Sequence, residues 1–181
     1  VVTTDGKGAD SVIGIDSDND GDIGLISTSS YDDKIEGYEN VEGKGTFGPQ
    51  QSVTTDADYA KSVFASDIDD DGDVNLISAS SYDDKIAWYE NIDGKGTFGQ
   101  KQIVTTDADG AISVVAIDFD NDGDIDLISA SSYDDDDICD WNEDVDGKGT
   151  HLGIESLTTE ATLSTLVTAF KIELDVSFEY L

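Results

Sequence analysis

The chain repeats itself every 51 residues, and that period limits its fold more than any other feature. The segments DSDNDGD, DIDDDGD and DFDNDGD begin at Asp16, Asp67 and Asp118. Their neighbours keep step. LISTSSYDDKI at Leu25 returns as LISASSYDDKI at Leu76 and as LISASSYDDDDI at Leu127. VTTD recurs at Val2, Val53 and Val104, YEN at Tyr38 and Tyr89, and GKGTFG at Gly43 and Gly94. A unit repeated at such a period is one supersecondary structure that cannot bury its apolar face alone, so the copies must stack on each other.

Within a unit, short apolar runs alternate with turn residues. In the second copy, Ser62 to Ala65 and Val74 to Ser80 read as strands on either side of the Asp-rich loop. Ser81 to Asp84 is a polar turn, Lys85 to Glu90 a third strand, Asp93 to Gly96 a Gly-rich turn, and Phe98 to Thr105 a fourth strand. Helical periodicity is absent, and Gly and Asp recur too often for long helices. Four antiparallel strands in a unit of this length predict an all-β array of propeller-like blades. The divisions expected are 1–50, 51–101 and 102–152 for three blades. Residues 153–181 form a degenerate fourth repeat or cap without a metal loop, with a candidate first strand at Leu166 to Phe170.

Forty-two Asp and Glu face nine Lys and Arg, a formal charge of -33. Such a charge repels itself and opposes compaction unless cations hold it or the chain is disordered. The aromatic and β-branched content argues for folding, and so for bound cations. The same charge and the lack of any basic stripe speak against nucleic-acid phosphates and anionic membrane surfaces as partners. No apolar run is long enough for a membrane-spanning helix. The single cysteine, Cys139, has no internal partner for a disulfide.

The Asp loop explains where cations go. Each loop reads D-x-D-x-D-G-D, with carboxylates at positions 1, 3 and 5 and glycine at 6. Alternate residues on a tight loop aim oxygens at one centre, and the glycine lets the position-7 backbone carbonyl join them. Ca²⁺ takes six to eight such oxygens at about 2.3–2.6 Å. An EF-hand would need Glu at position 12 and flanking helices. Position 12 is Ser27, Ser78 and Ser129, and the flanks are strand-like.

D-x-D-x-D-G-x-x-D between two strands is the loop of FG-GAP and VCBS-type repeats, which residues 1–150 resemble; the integrin α-subunit propeller is a well-known member. The resemblance implies Ca²⁺ ligands at positions 1, 3, 5, 7 and 9. These fall on Asp16, Asp18, Asp20 and Asp22, on Asp67, Asp69, Asp71, Asp73 and Asn75, and on Asp118, Asp120, Asp122, Asp124 and Asp126. Position 9 is Gly24, Asn75 and Asp126 in turn, so of up to three sites the third is expected to bind tightest and the first weakest. FG-GAP propellers usually close with seven blades, more than this chain supplies. A piece of a longer array, or copies associating through blade edges, is therefore expected.

Other features have plainer readings. Asp32-Asp33-Lys34 and Asp83-Asp84-Lys85, like Asp56 and Asp58 or Asp107 and Asp109, read as solvated turns rather than ligand sites. Tyr38, Trp88, Tyr89 and Trp141 fall in the third strands, where aromatics pack between blades more often than they stack on sugars. His151 is the only histidine and has no nucleophile set beside it, and no G-x-S-x-G or Cys-His pair occurs. The function expected is a non-catalytic, Ca²⁺-binding extracellular or cell-surface module for adhesion or assembly, with protein or its own copies as partner. A Ca²⁺-dependent lectin, with glycans as partner, is the alternative.

Overall fold

The computed structural model describes residues 2–133, 136–144, 147–149 and 151–158. Among them there is no helix. The first sheet contains β1 (Ala9–Ile15), β2 (Gly24–Ser29) and β3 (Lys34–Tyr38). A short ribbon of β4 (Asn40–Val41) and β5 (Thr46–Phe47) follows, and β6 (Gln51–Thr54) completes the sheet in the order β1-β2-β3-β6. The second sheet is β7 (Ala60–Ser66), β8 (Asn75–Ser80), β9 (Lys85–Tyr89) and β10 (Gln102–Thr105). The third is β11 (Ala111–Ile117), β12 (Asp126–Tyr133), β13 (Asp136–Asp144) and β14 (His151–Thr158). All three are four-stranded antiparallel meanders, the all-β blade architecture that the repeat predicts.

The outer strands run into the VTT segments, so the sheets end at Thr54, Thr105 and Thr158, a few residues past the divisions drawn on the sequence. A period has no intrinsic start; backbone pairing sets its phase. The degenerate fourth repeat beyond residue 158, with its candidate strand at 166–170, lies outside the described residues.

Alternation along each strand gives every sheet two apolar faces, because side chains on a strand point to opposite sides in turn. Ile26 and Ile35 of the first sheet pack on Ala60, Val63, Leu76 and Tyr89 of the second. Ile77, Ile86 and Trp88 of the second pack in the same way on Ala111, Val114 and Leu127 of the third. Leu76, Ile77, Ile86 and Leu127 have no exposed surface. Burying each such side chain contributes about 1.5–3 kcal/mol before chain entropy is counted. The core therefore lies between the sheets and not within any one of them.

The acidic hairpin turns do more than face water, which corrects their reading as solvated turns. Asp33 Oδ1 accepts the Tyr59 N–H at 3.0 Å, and its carbonyl accepts the Ala57 N–H at 3.1 Å. One repeat later, Asp84 takes Gly110 N–H at 2.9 Å and Ala108 N–H at 3.2 Å in the same way. Each turn thus staples its blade to the connection leading into the next. Asp33 and Asp84 hold left-handed backbone angles of 55° and 56°, which Asp tolerates better than most residues. Lys101 adds an ion pair to Asp56 at 2.8 Å.

Candidate metal centres

Each Asp loop joins the first two strands of a blade and winds tightly for a local reason. Position 4, which is Asn19, Asp70 and Asn121, lies in the left-handed region at φ of 58°, 55° and 64°. The position-6 glycines follow at 90°, 91° and 105°. Asn and Asp are the non-glycine residues best suited to that conformation, so their recurrence at position 4 was a signal that the sequence reading passed over. The position-1 carboxylate closes the loop. Asp16 accepts the N–H of Asp20 at 3.2 Å and of Gly21 at 3.0 Å, and Asp67 accepts those of Asp71 and Gly72 at 3.2 and 2.9 Å. Asp118 accepts the Gly123 N–H at 3.2 Å.

Winding brings three carboxylates together in every loop. Asp16, Asp18 and Asp20 offer oxygens within 4.8 Å of one another, as do Asp67, Asp69 and Asp71, and Asp118, Asp120 and Asp122. Two like charges at that spacing repel by roughly 3–4 kcal/mol at an effective dielectric constant near 20. The effect on titration follows. Asp18, Asp69 and Asp120 all have pKa values raised above 3.8, by desolvation first, with the other carboxylates of the cluster adding to it. Asp118 Oδ1 is buried and has no hydrogen-bond partner. A hard cation supplies what that oxygen lacks, so the donor set fits Ca²⁺.

The remaining predicted ligands lie elsewhere around the loop. The position-7 carboxylates of Asp22, Asp73 and Asp124 turn toward the glycine turns after the third strands. There an added Cβ on Gly43, Gly94 or Gly147 would meet a carboxylate oxygen at 2.1, 2.5 or 2.7 Å. They stand outside the clustered oxygens. Asn19 of the first loop donates to Asp73 Oδ1 and to the Gly94 carbonyl, both at 3.2 Å, linking one loop to the next.

At position 9, Asn75 is fully buried, donating to Asp69 at 2.7 Å and accepting the Asn91 N–H at 2.9 Å. Asp126 accepts from Phe119 N–H and Asp144 N–H, each at 3.0 Å. Position 9 thus ties the loop to the end of the third strand in blades two and three. Gly24 has no side chain to do so.

Raised carboxylate pKa values set a pH dependence. A group whose folded pKa lies above its unfolded value binds its proton more tightly in the folded chain. Stability then falls as pH rises through 3.8 and on through the folded value. Asp58 and Asp140 shift upward with the three loop residues, while Asp10, Asp56 and Asp93 shift downward and pull the other way. The EDTA-treated protein is expected to melt at a higher temperature near about pH 4.5 than at pH 7. A melting temperature that falls steadily on acidification would contradict the repulsion picture.

Three of the third-strand aromatics belong to the core, while the side chain of Trp141 lies outside what the structure describes. Tyr38, Trp88 and Tyr89 are 4%, 6% and 0% exposed. The sequence reading missed a different aromatic group at the turn end of the blades. Tyr59 and Tyr82 stack with centroids 4.1 Å apart and planes 6° from parallel, and Tyr31 lies 5.8 Å from Tyr59 across the junction of the first two sheets. Tyr31 and Tyr82 are 69% and 67% exposed. Their recurrence in the Ser-Tyr-Asp-Asp turn was visible in the sequence.

Repeat, loop and sheet order together define a class, propeller-like blades with Asp-loop hairpins. Residues 67–129, from the second Asp loop into β12, match the family model described as FG-GAP-like repeat, so the chain carries an FG-GAP-type repeat. A solved structure of a lectin from Agrocybe aegerita, described as recognising non-reducing terminal N-acetylglucosamine, is similar in fold. Its TM-score is 0.56 at 21% identity over 83% of this chain. The similar region spans 38% of that lectin chain. No curated protein matches the chain in sequence.

Proposed function

We propose that this chain is a non-catalytic, extracellular Ca²⁺-binding repeat module that serves adhesion or structural assembly. The observation that carries the reading is the triad of carboxylate oxygens repeated in register at the same hairpin of all three blades. Positions 1, 3 and 5 of each loop hold the ion, with Asn75 and Asp126 near enough in sequence to contribute at position 9. The order of affinity is third, second, first, because position 9 is Asp, Asn and Gly. Bound Ca²⁺ neutralises the clustered charge and locks the loop, so metal binding becomes part of the folding free energy. Loops with few protein ligands fill at the millimolar Ca²⁺ found outside cells, which supports the placement.

Calorimetric titration of EDTA-stripped protein with Ca²⁺ tests this. Uptake of two to three ions, with the weakest lost first on dilution of Ca²⁺, is the expected result. No uptake by a chain already rich in β-structure would reduce the loops to plain turns and remove the argument for an extracellular site.

A carbohydrate-binding role is the second reading, favoured by the fold shared with the lectin and by the exposed tyrosine stack. Aromatic faces suit the apolar face of a pyranose, and Tyr31 and Tyr82 present such faces. Trp88 and Tyr89 are buried and do not. Glycan-array binding that Tyr82→Ala abolishes, N-acetylglucosamine being the first probe, would favour the lectin over the assembly module.

A further inference from the structure

The repeats serve as internal controls for one another, and the first blade junction differs from the second at one buried position. Ile26 is paired with Gly37 across β2 and β3, Ile77 with Trp88, and Ile128 with Trp141. Two copies of the unit therefore carry Trp at this register position, and the first carries Gly. At the second junction Trp88 is buried in the core between the sheets. Its indole reaches the Gly-rich turn of the third blade, where a Cβ added to Gly149 would stand 2.9 Å from the ring.

The first junction has the same walls around a cavity of about 270 Å³, whose lining includes Ile26, Gly37, Gly96 and Phe98. Gly96 is the counterpart of Gly149, so the cavity runs between the two positions that Trp88 joins one repeat later. A Cβ added to Gly37 would meet only Ile26 Cδ1 at 3.3 Å and the Gln51 carbonyl at 3.9 Å, which leaves a side chain room to grow from there. Gly24, also in the lining, widens the same space, because its counterparts Asn75 and Asp126 are buried side chains bonded to the ends of their third strands. The walls are fixed to each other. Asn91 Nδ2 donates to the Ser17 carbonyl at 2.9 Å, and Asn19 donates to the Gly94 carbonyl at 3.2 Å. A cavity formed in advance spares an incoming group much of the ordering cost of binding.

We infer that this cavity receives a tryptophan side chain carried by a basic segment of a partner protein. The second junction of the same chain shows that an indole fits between such walls. The charge at the mouth decides what flanks it. Asp18, Asp20, Asp22 and Glu39 line the cavity, with Lys95 as the cation among the lining residues. Four carboxylates against one lysine stay net negative even beside one bound Ca²⁺, and a negative rim favours a positive partner. A Trp set in a pocket is also the kind of anchor that carries most of the energy of many protein interfaces. A partner held in this way serves the assembly role proposed above, on which this inference rests.

Two-dimensional NMR titration of the full chain at millimolar Ca²⁺ tests it, with the capped peptide Lys-Trp-Lys as probe. Saturable shifts of the Gly37 and Gly96 amides are expected with Lys-Trp-Lys and none with Lys-Ala-Lys. Free tryptamine should bind more weakly than the peptide, and indole-3-acetate more weakly still. Gly37→Trp should fill the cavity, raise the melting temperature and abolish peptide binding. Glu39→Lys, at an exposed position, should weaken the peptide roughly two- to fivefold. Calorimetry on both variants separates this from the metal reading, since their Ca²⁺ uptake should match that of the unaltered chain. Four results would each overturn the inference: no saturable binding, equal binding of Lys-Ala-Lys, tighter binding of free tryptamine than of the peptide, or an affinity that Glu39→Lys leaves unchanged. Peptide binding retained by folded Gly37→Trp would do the same.

Discussion

Removing Ca²⁺ with EDTA is expected to lower the melting temperature by about 15–30 °C. Each loop holds three carboxylates within 4.8 Å, and nothing else among its own residues is cationic. A site filled at a hundred times its dissociation constant stabilises the fold by about 2.7 kcal/mol, so three such sites give about 8 kcal/mol. That is comparable with the whole stability of an ordinary domain, about 5–15 kcal/mol. For a chain of this size each kcal/mol moves the midpoint by about 2–4 °C. The Asp20 and Asp22 N–H bonds to Asp16 and Asp20, and their copies in later loops, keep some local order without metal. The loss should therefore show first as weakened pairing between the first two strands of each blade. Thermal melts followed by circular dichroism in EDTA and in millimolar Ca²⁺ measure the difference. Coincident melts would mean that no cation stabilises the fold.

Trp88→Ala is expected to destabilise the protein by about 3–5 kcal/mol, the usual range for deleting a buried aromatic. Trp88 lies opposite Ile77 in the β8–β9 pair and belongs to the core between the second and third sheets. Its indole also lies against Gly149, where an added Cβ would stand 2.9 Å from the ring. The substitution therefore opens a cavity between two blades and frees the Gly-rich turn of the third. Tyr82→Ala, at a largely exposed position, should cost much less. Urea denaturation of the two variants beside the unaltered chain gives the comparison. Equal midpoints for Trp88→Ala and the unaltered chain would show that the junction is not the core. The same result bears on carbohydrate binding, because sugar binding lost in Trp88→Ala would report damaged packing rather than a missing stacking platform.

Much of the fold was legible because its signals are local and repeated. The period, the strands on either side of the loop and the turn residues between strands led to four-stranded blades. The carboxylate triads were equally legible, since positions 1, 3 and 5 lie within five residues and a tight loop leaves them little choice but to converge. The role of position 9 was less so. Asn75 and Asp126 were assigned to the ion from the family resemblance alone. The structure adds a second task, holding the N–H of Asn91 and of Asp144, each sixteen or more residues away.

The sequence by itself determined the repeat, the strand content, the Asp loops and the excess of negative charge, since each of these is read along the chain. The tertiary structure decided which turns staple blade to blade, which tyrosines are buried and which stack in the open, and that Val12 is exposed where Val63 and Val114 are not. Val12 and its copies are the same residue in nearly the same local sequence, so no local rule could separate them. What differs is whether another blade lies against them, and that depends on packing between segments some fifty residues apart.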